Sequence, residues 1–296
     1  MGIDIAHYHG WEGKLRSPWW GSLAIVRVAM LQVFRRKSYW VVIGLGGLIF
    51  ILYWSLIYIM TQFEIGAREQ ASIAKLFGFS PVPTEEMDNG YVVFMQRESI
   101  AVMILLAFSG SLLVGTDFRM GSLTFYLSRR IDRVQYIFGK LLAVSTVVAL
   151  MTILPALVLY FEYGMFTSST AYWRQNWRLP IAVFSYGAVL CAVLSIWLVT
   201  LAAYLQRMAP IAITWSSLFV MCGTMSTQLR EATDNRNWDL LDPWRCIRLV
   251  GKLCFGTFQL PGEYARSWWA LLILATTCTL ALAALVRRVR AVEVVT

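Results

Sequence analysis

The chain has 296 residues, of which 58% are hydrophobic and only 15% charged, and its mean hydropathy is +0.60. A soluble domain carries about a quarter charged residues, so this composition excludes an ordinary water-soluble fold and leaves no stretch polar enough for a second domain. The formal charge of +9 fits the Lys- and Arg-rich inner loops of a membrane protein rather than a nucleic-acid surface.

Residues 1–18 contain neither an apolar core segment nor a small-residue cleavage site, so they do not read as a secretory leader. Met1-Gly2 is followed by Ala6 where a myristoylation signal needs Ser or Thr. His7 and His9 have no third ligand nearby in sequence and read as exposed histidines, with no metal site. Residues 19–37 are apolar but interrupted by Arg27 and Gln32 and closed by Arg35, Arg36 and Lys37. That pattern predicts an elbow helix lying in the inner interface, with basic residues on the anionic headgroups; a short additional span is the competing reading.

Six apolar runs then follow, near 39–60, 99–116, 141–161, 180–203, 208–226 and 267–286. Each approaches the ~20 helical residues that cross ~30 Å of hydrocarbon, and none contains Asp, Glu, Lys, Arg or His. Trp and Tyr stand at several ends, as at Tyr39, Trp40, Tyr58, Tyr160, Trp268 and Trp269, where an interfacial belt places them. The expected fold is an all-α polytopic membrane domain of six transmembrane helices. Ser109, Ser111 and Thr116 in the second run, and Ser195 and Thr200 in the fourth, either line a path or bond helix to helix. Gly44 with Gly47, and Gly110 with Gly115, read as sites of close packing.

The 61–98 loop carries a Pro-containing turn region, "FSPVPTEEMDNG". Within 227–266, Trp244, Ile247, Val250 and Cys254 recur at helical spacing while Arg245, Arg248 and Lys252 line another face. A short amphipathic helix resting on the membrane is expected there. The five cysteines give no disulfide framework; only Cys246 and Cys254 share a polar loop.

With both termini inside, the inner segments hold 15 basic and 5 acidic residues, and the outer segments 11 and 12. The positive-inside rule therefore favours cytoplasmic termini and a plasma (inner) membrane location.

The inner segment "TDFRMGSLTFYLSRRIDRVQYIFGKLLAV", residues 116–144, is the most informative. Asp117 is a candidate helix cap, Leu123 and Leu127 form an apolar stripe, and Arg129, Arg130 and Arg133 form a basic cluster before Gly139-Lys140. By composition alone it is a loop obeying the positive-inside rule. The order of Asp117, Gly121, Ser122, Leu123, Leu127, Ser128, Arg129, Ile131, Arg133, Gly139 and Lys140, however, resembles the signature loop of ABC-2 type permeases, the transmembrane subunits of a class of ATP-binding-cassette transporters. Arg130 stands where that pattern has Pro, and Asp132 where Ser is common.

The resemblance implies that 117–140 holds a coupling helix docking on a separate ATPase subunit. It also implies a second permease subunit, homo- or heterodimeric, and export as the usual direction. ATP and Mg belong to the partner: no "GxxxxGK[ST]" occurs, since Gly139-Lys140 and Gly251-Lys252 are each followed by Leu. No catalytic residue, cofactor or metal is expected on this chain. An ion- or proton-coupled carrier would need ionisable residues within the spans, and an intramembrane enzyme a reactive cluster at that depth. A chain anchoring an ATPase for a non-transport task would carry the same docking loop.

Overall fold

The computed structural model describes residues 19–63, 66, 77, 86–115, 117, 132–167, 170–258 and 260–294. Among them there is no strand. Helix α1 spans Trp19–Arg35, α2 Lys37–Gln62 and α3 Glu86–Gly110, the last continuing into a π-helical turn at Ser111–Gly115. Then come α4 (Arg133–Thr167), α5 (Thr170–Gln175), α6 (Arg178–Leu205) and α7 (Met208–Thr233). A 3₁₀ turn at Arg236–Leu241, α8 (Pro243–Phe255) and α9 (Glu263–Val294) complete the fold.

Six of these helices, α2, α3, α4, α6, α7 and α9, are long and apolar enough to cross a membrane, and the chain is an all-α multi-pass membrane protein. Helix α1 is not among the six. Its 17 residues rise about 25 Å at 1.5 Å each, short of the hydrocarbon thickness. It is broken from α2 at Arg36, whose extended backbone (φ −92°, ψ 118°) makes the elbow. Ser22, Ile25, Ala29 and Val33 form its buried stripe, laid against α4, while Trp20, Leu23, Val28 and Leu31 on other faces are exposed.

The bundle is built around α3. Its apolar window is 75% buried, against 17% for α2, α7 and α9. Tyr39 of α2 donates to the Phe108 carbonyl at 3.4 Å, and the Trp215 indole of α7 to the Met103 carbonyl at 3.2 Å. Helices α6 and α9 are tied by Thr200 Oγ1 to the Ala281 carbonyl (3.2 Å) and Tyr204 Oη to the Ala284 carbonyl (3.1 Å). Thr200 therefore serves interhelical bonding, one of the two roles its composition allows. Ser195 bonds within its own helix, to the Ala192 carbonyl. Ser109 is buried with no hydrogen-bond partner among the described residues, and Thr116 lies outside them.

The two glycine pairs differ. A Cβ on Gly110 would lie 2.8 Å from Leu198 Cδ1, and one on Gly115 would lie 2.7 Å from the Gln206 carbonyl oxygen. Gly44 and Gly47 have nothing within 4 Å, and the close approach on α2 falls instead at Gly46, against Glu98 and Met151. The reading of Gly44 and Gly47 as packing sites is thus corrected: they face outward, one residue off the buried register that Gly46 occupies.

Because Gly115 meets backbone rather than a movable side chain, Gly115→Ala overpacks a rigid contact, at a cost of about 1–3 kcal/mol. Its thermal midpoint in detergent should fall clearly below wild type. Gly44→Ala, with open space around it, should match wild type or exceed it slightly. Equal midpoints for the two variants would refute this account of the α3 end.

Candidate coupling site

The segment 117–140 is described at its two ends, Asp117 and 132–140. Gly121, Leu123, Leu127, Ser128 and Arg129 lie outside the described residues, as do the expected docking helix and, at the amino-terminal end, His7 and His9. What the structure describes is how the segment's ends are fastened.

Residues 133–140 are the first two turns of α4. Asp132 precedes them: its carbonyl accepts the Tyr136 N–H at 2.9 Å, and its own N–H donates to Gln135 Oε1 at 3.2 Å. The second bond is one half of a capping box. Asp is a helix-capping residue type just as Ser is, so this departure from the ABC-2 pattern preserves the helix start. The Gln135 carbonyl accepts a bond from Ser22 Oγ of α1 at 3.0 Å. Four residues on, Gly139 lets α1 approach: a Cβ there would meet Ile25 Cδ1 at 3.1 Å and Ser22 backbone at 3.3 Å.

Lys140 closes the arrangement. Its ammonium lies 2.7 Å from Asp117 Oδ2 and donates at 2.6 Å to the Leu113 carbonyl, in the π-helical turn. The Asp117 carboxylate also accepts from Tyr136 Oη at 3.0 Å. Lysine and aspartate side chains are 8% and 14% exposed, so the pair is largely desolvated and each charge depends on the other. A cation on carbonyls at a helix C-terminal end also has favourable dipole polarity. Asp117 and Lys140, 23 positions apart, thus meet and pin both ends of the loop to the bundle. Asp117 was a candidate cap; its carboxylate is instead engaged by Lys140 and Tyr136. Arg133 is half-buried at the α4 start.

At the opposite end of the bundle, α8 forms as its spacing predicts. Asp242 caps it by accepting the Trp244 N–H at 2.9 Å, Pro243 opens it, and Gly256 (φ +74°) ends it. Its setting differs from expectation. Cys246, Ile247, Val250 and Phe255 are buried, and Gly251 sits against the Tyr186 ring of α6. The apolar face packs on α3, α6 and α9 rather than on lipid. Asp239 gathers Arg245, Arg230 (3.4 Å) and Arg266 (4.0 Å), while Lys252 pairs with Glu263 at 2.7 Å. Cys246 and Cys254 are both free thiols. Burial, reinforced by Asp242 and Asp239, pushes the Cys246 thiol up to about 12.

The expectation that the spans carry no ionisable residue is overturned. Helix α3 begins well before 99, and its candidate span, Gly90–Gly115, contains Arg97 and Glu98; the α4 span contains Glu162. Glu98 and Glu162 are 2% and 3% exposed. Glu98 Oε2 and both carboxylate oxygens of Glu162 have no hydrogen-bond partner among the described residues. The apolar residues Tyr91, Val92, Phe94 and Met95, all buried on α3, were the signal that the helix reaches past Glu98. A hydropathy reading that stops at the first charge cannot use it.

No protein-family model matches the chain, and no curated protein matches it.

Two measurements test this geometry. Removing one member of a buried pair costs about 3–5 kcal/mol, because the other charge is left uncompensated. Lys140→Met should therefore lower the thermal midpoint far more than Asp117→Asn and Lys140→Met combined would if additive; additive losses would refute the pairing. Separately, maleimide at neutral pH should leave Cys246 unmodified in the native protein and label it after denaturation, because the reactive thiolate is suppressed. Rapid native labelling would contradict its burial.

Proposed function

We propose that this chain is an ABC-2 type permease subunit. It works as a dimer with a second permease subunit and is driven by a separate ATPase chain that carries the ATP and Mg, docked on the cytoplasmic segment between α3 and α4. The observation that supports the reading is the use of the motif's own residues. Asp117, Gly139 and Lys140, which carry the resemblance, fasten the segment to the bundle and to the elbow helix. A docking element transmits displacement only if its ends are held; the Asp117–Lys140 pair and the Ser22–Gln135 bond hold both ends against α1, α3 and α4. Export is the direction the resemblance favours, and the plasma (inner) membrane with cytoplasmic termini is the location the basic-residue asymmetry favours.

A second reading has an observation of its own. Glu98 and Glu162 are buried acids inside candidate spans, the kind of residue an ion- or proton-coupled carrier uses. In that reading no ATPase chain is needed, and Glu98→Gln removes transport.

The deciding experiment is affinity purification of the tagged chain from the membranes of its own cells. The permease reading expects a co-purifying ATPase activity, with no ATP binding by the isolated chain. Leu127→Asp, which puts a charge on the docking stripe, should abolish co-purification at equal membrane levels, since truncating a buried interface anchor typically costs ~2 kcal/mol or more. Arg174→Ala, on α5, should leave it intact. Retention of the ATPase by Leu127→Asp would overturn the coupling assignment.

A further inference from the structure

A cavity of about 590 Å³ opens between α3, α7, the 3₁₀ turn, α8 and the start of α9. This is within the range of small-molecule sites, roughly 300–1,000 Å³. Its walls carry seven basic side chains and two acidic ones. The cations come from five separate elements. Arg97 enters from α3, Arg230 from α7, Arg236 from the 3₁₀ turn and Arg266 from α9, while Arg245, Arg248 and Lys252 form one face of α8.

The acidic side chains are committed. Asp239 is shared by Arg230, Arg245 and Arg266, and Glu263 holds Lys252. Arg236 and Arg248 have no carboxylate within 4 Å among the described residues, although both line the cavity. Arg97 is oriented by its stack over the Phe77 ring, at 5.2 Å, and the Tyr53 ring, at 5.9 Å. Like charges gathered in a half-enclosed space repel more strongly than in bulk water. A multiply charged anion seated among them reverses that cost, and a single carboxylate would offset little of it. Guanidinium forks match phosphate oxygens two at a time. Between the cations, Val93, Ile100, Trp244 and Leu249 give the cavity an apolar wall.

We propose that this cavity is a binding site for a multiply charged, phosphate-bearing anion, contacted by Arg97, Arg236 and Arg248 and flanked by the apolar wall. A lipid headgroup and a soluble phosphate compound share this chemistry. The site stands independently of the ATPase-coupling reading, which concerns the other end of the bundle.

The test uses the full chain in nanodiscs. In one arm, inorganic pyrophosphate is titrated calorimetrically into phosphatidylcholine discs. In the other, retention of phosphatidylglycerol over phosphatidylcholine is measured by native mass spectrometry. Arg236→Gln and Arg248→Gln orphan no carboxylate, so both variants should fold, with thermal midpoints near wild type. Each should weaken the bound anion about tenfold, the loss of one charge-assisted contact. Arg248→Lys should recover part of that loss, and Arg174→Gln, on α5, should change nothing. Binding of pyrophosphate identifies a soluble ligand, and selective lipid retention a headgroup; either supports the site. It is overturned if folded wild type binds neither probe, or if the Arg236→Gln, Arg248→Gln double variant binds as wild type does.

Discussion

A charge within the reach of hydrocarbon has to be neutralised by the protein itself, and the ammonium of Lys140 is where this constraint organises the fold. Water solvates an exposed lysine cheaply; here it is replaced by Asp117 Oδ2 and the Leu113 carbonyl, groups on the far side of a long loop. The ion pair exists only if α3 ends beside the second turn of α4. That position also sets Tyr136 against Asp117 and brings Gly139 under α1. The elbow helix, the π-helical turn and the start of α4 are therefore one interlocked unit, and a change to any of them is felt as an unpaired charge.

The same constraint explains why the polar residues of α8 face inward. In a bundle whose outer faces contact lipid, arginines near the membrane must find carboxylates or water, and Asp239, Asp242 and Glu263 supply the carboxylates. Burial raises the Asp242 carboxyl above its ordinary range, while the Trp244 and Arg245 backbone N–H groups and nearby arginines pull the other way. Glu98 and Glu162 show the alternative: acids enclosed in the bundle without such partners among the described residues. Which end of the molecule handles chemistry and which handles motion follows from this division of charge.

Much of the architecture was legible from hydropathy alone, because hydrocarbon imposes a simple rule on helix length and composition. The six spans, the break at Arg36 and the α8 helix with its Asp-Pro start and Gly stop all follow from local residue patterns. The misreadings share a cause. The spacing of Trp244, Ile247 and Val250 shows that α8 has an apolar face, but not whether lipid or protein covers it. Gly44, Gly46 and Gly47 look alike in sequence, and only the third dimension assigns the contact to Gly46. Likewise, Asp117 and Lys140 were singled out as motif members, yet their partnership across 23 positions leaves no periodic trace. Glu98 was missed because a charge was taken as the end of a span.

The π-helical turn at Ser111–Gly115 has a bearing on how the chain tolerates change in length. A π turn holds an additional residue within an otherwise α-helical path, and each residue of an α-helix turns the chain by about 100°. Shortening that turn by one residue would yield a more regular helix, yet swing everything beyond it through that angle. Asp117 would point away from Lys140, and the glycine that meets the Gln206 carbonyl would be replaced there by a residue with a side chain. The irregular turn thus works as a phase setting between the centre of the bundle and its edge. Helix α3 is tolerant of conservative substitution along its length, but intolerant of a single deletion at its end.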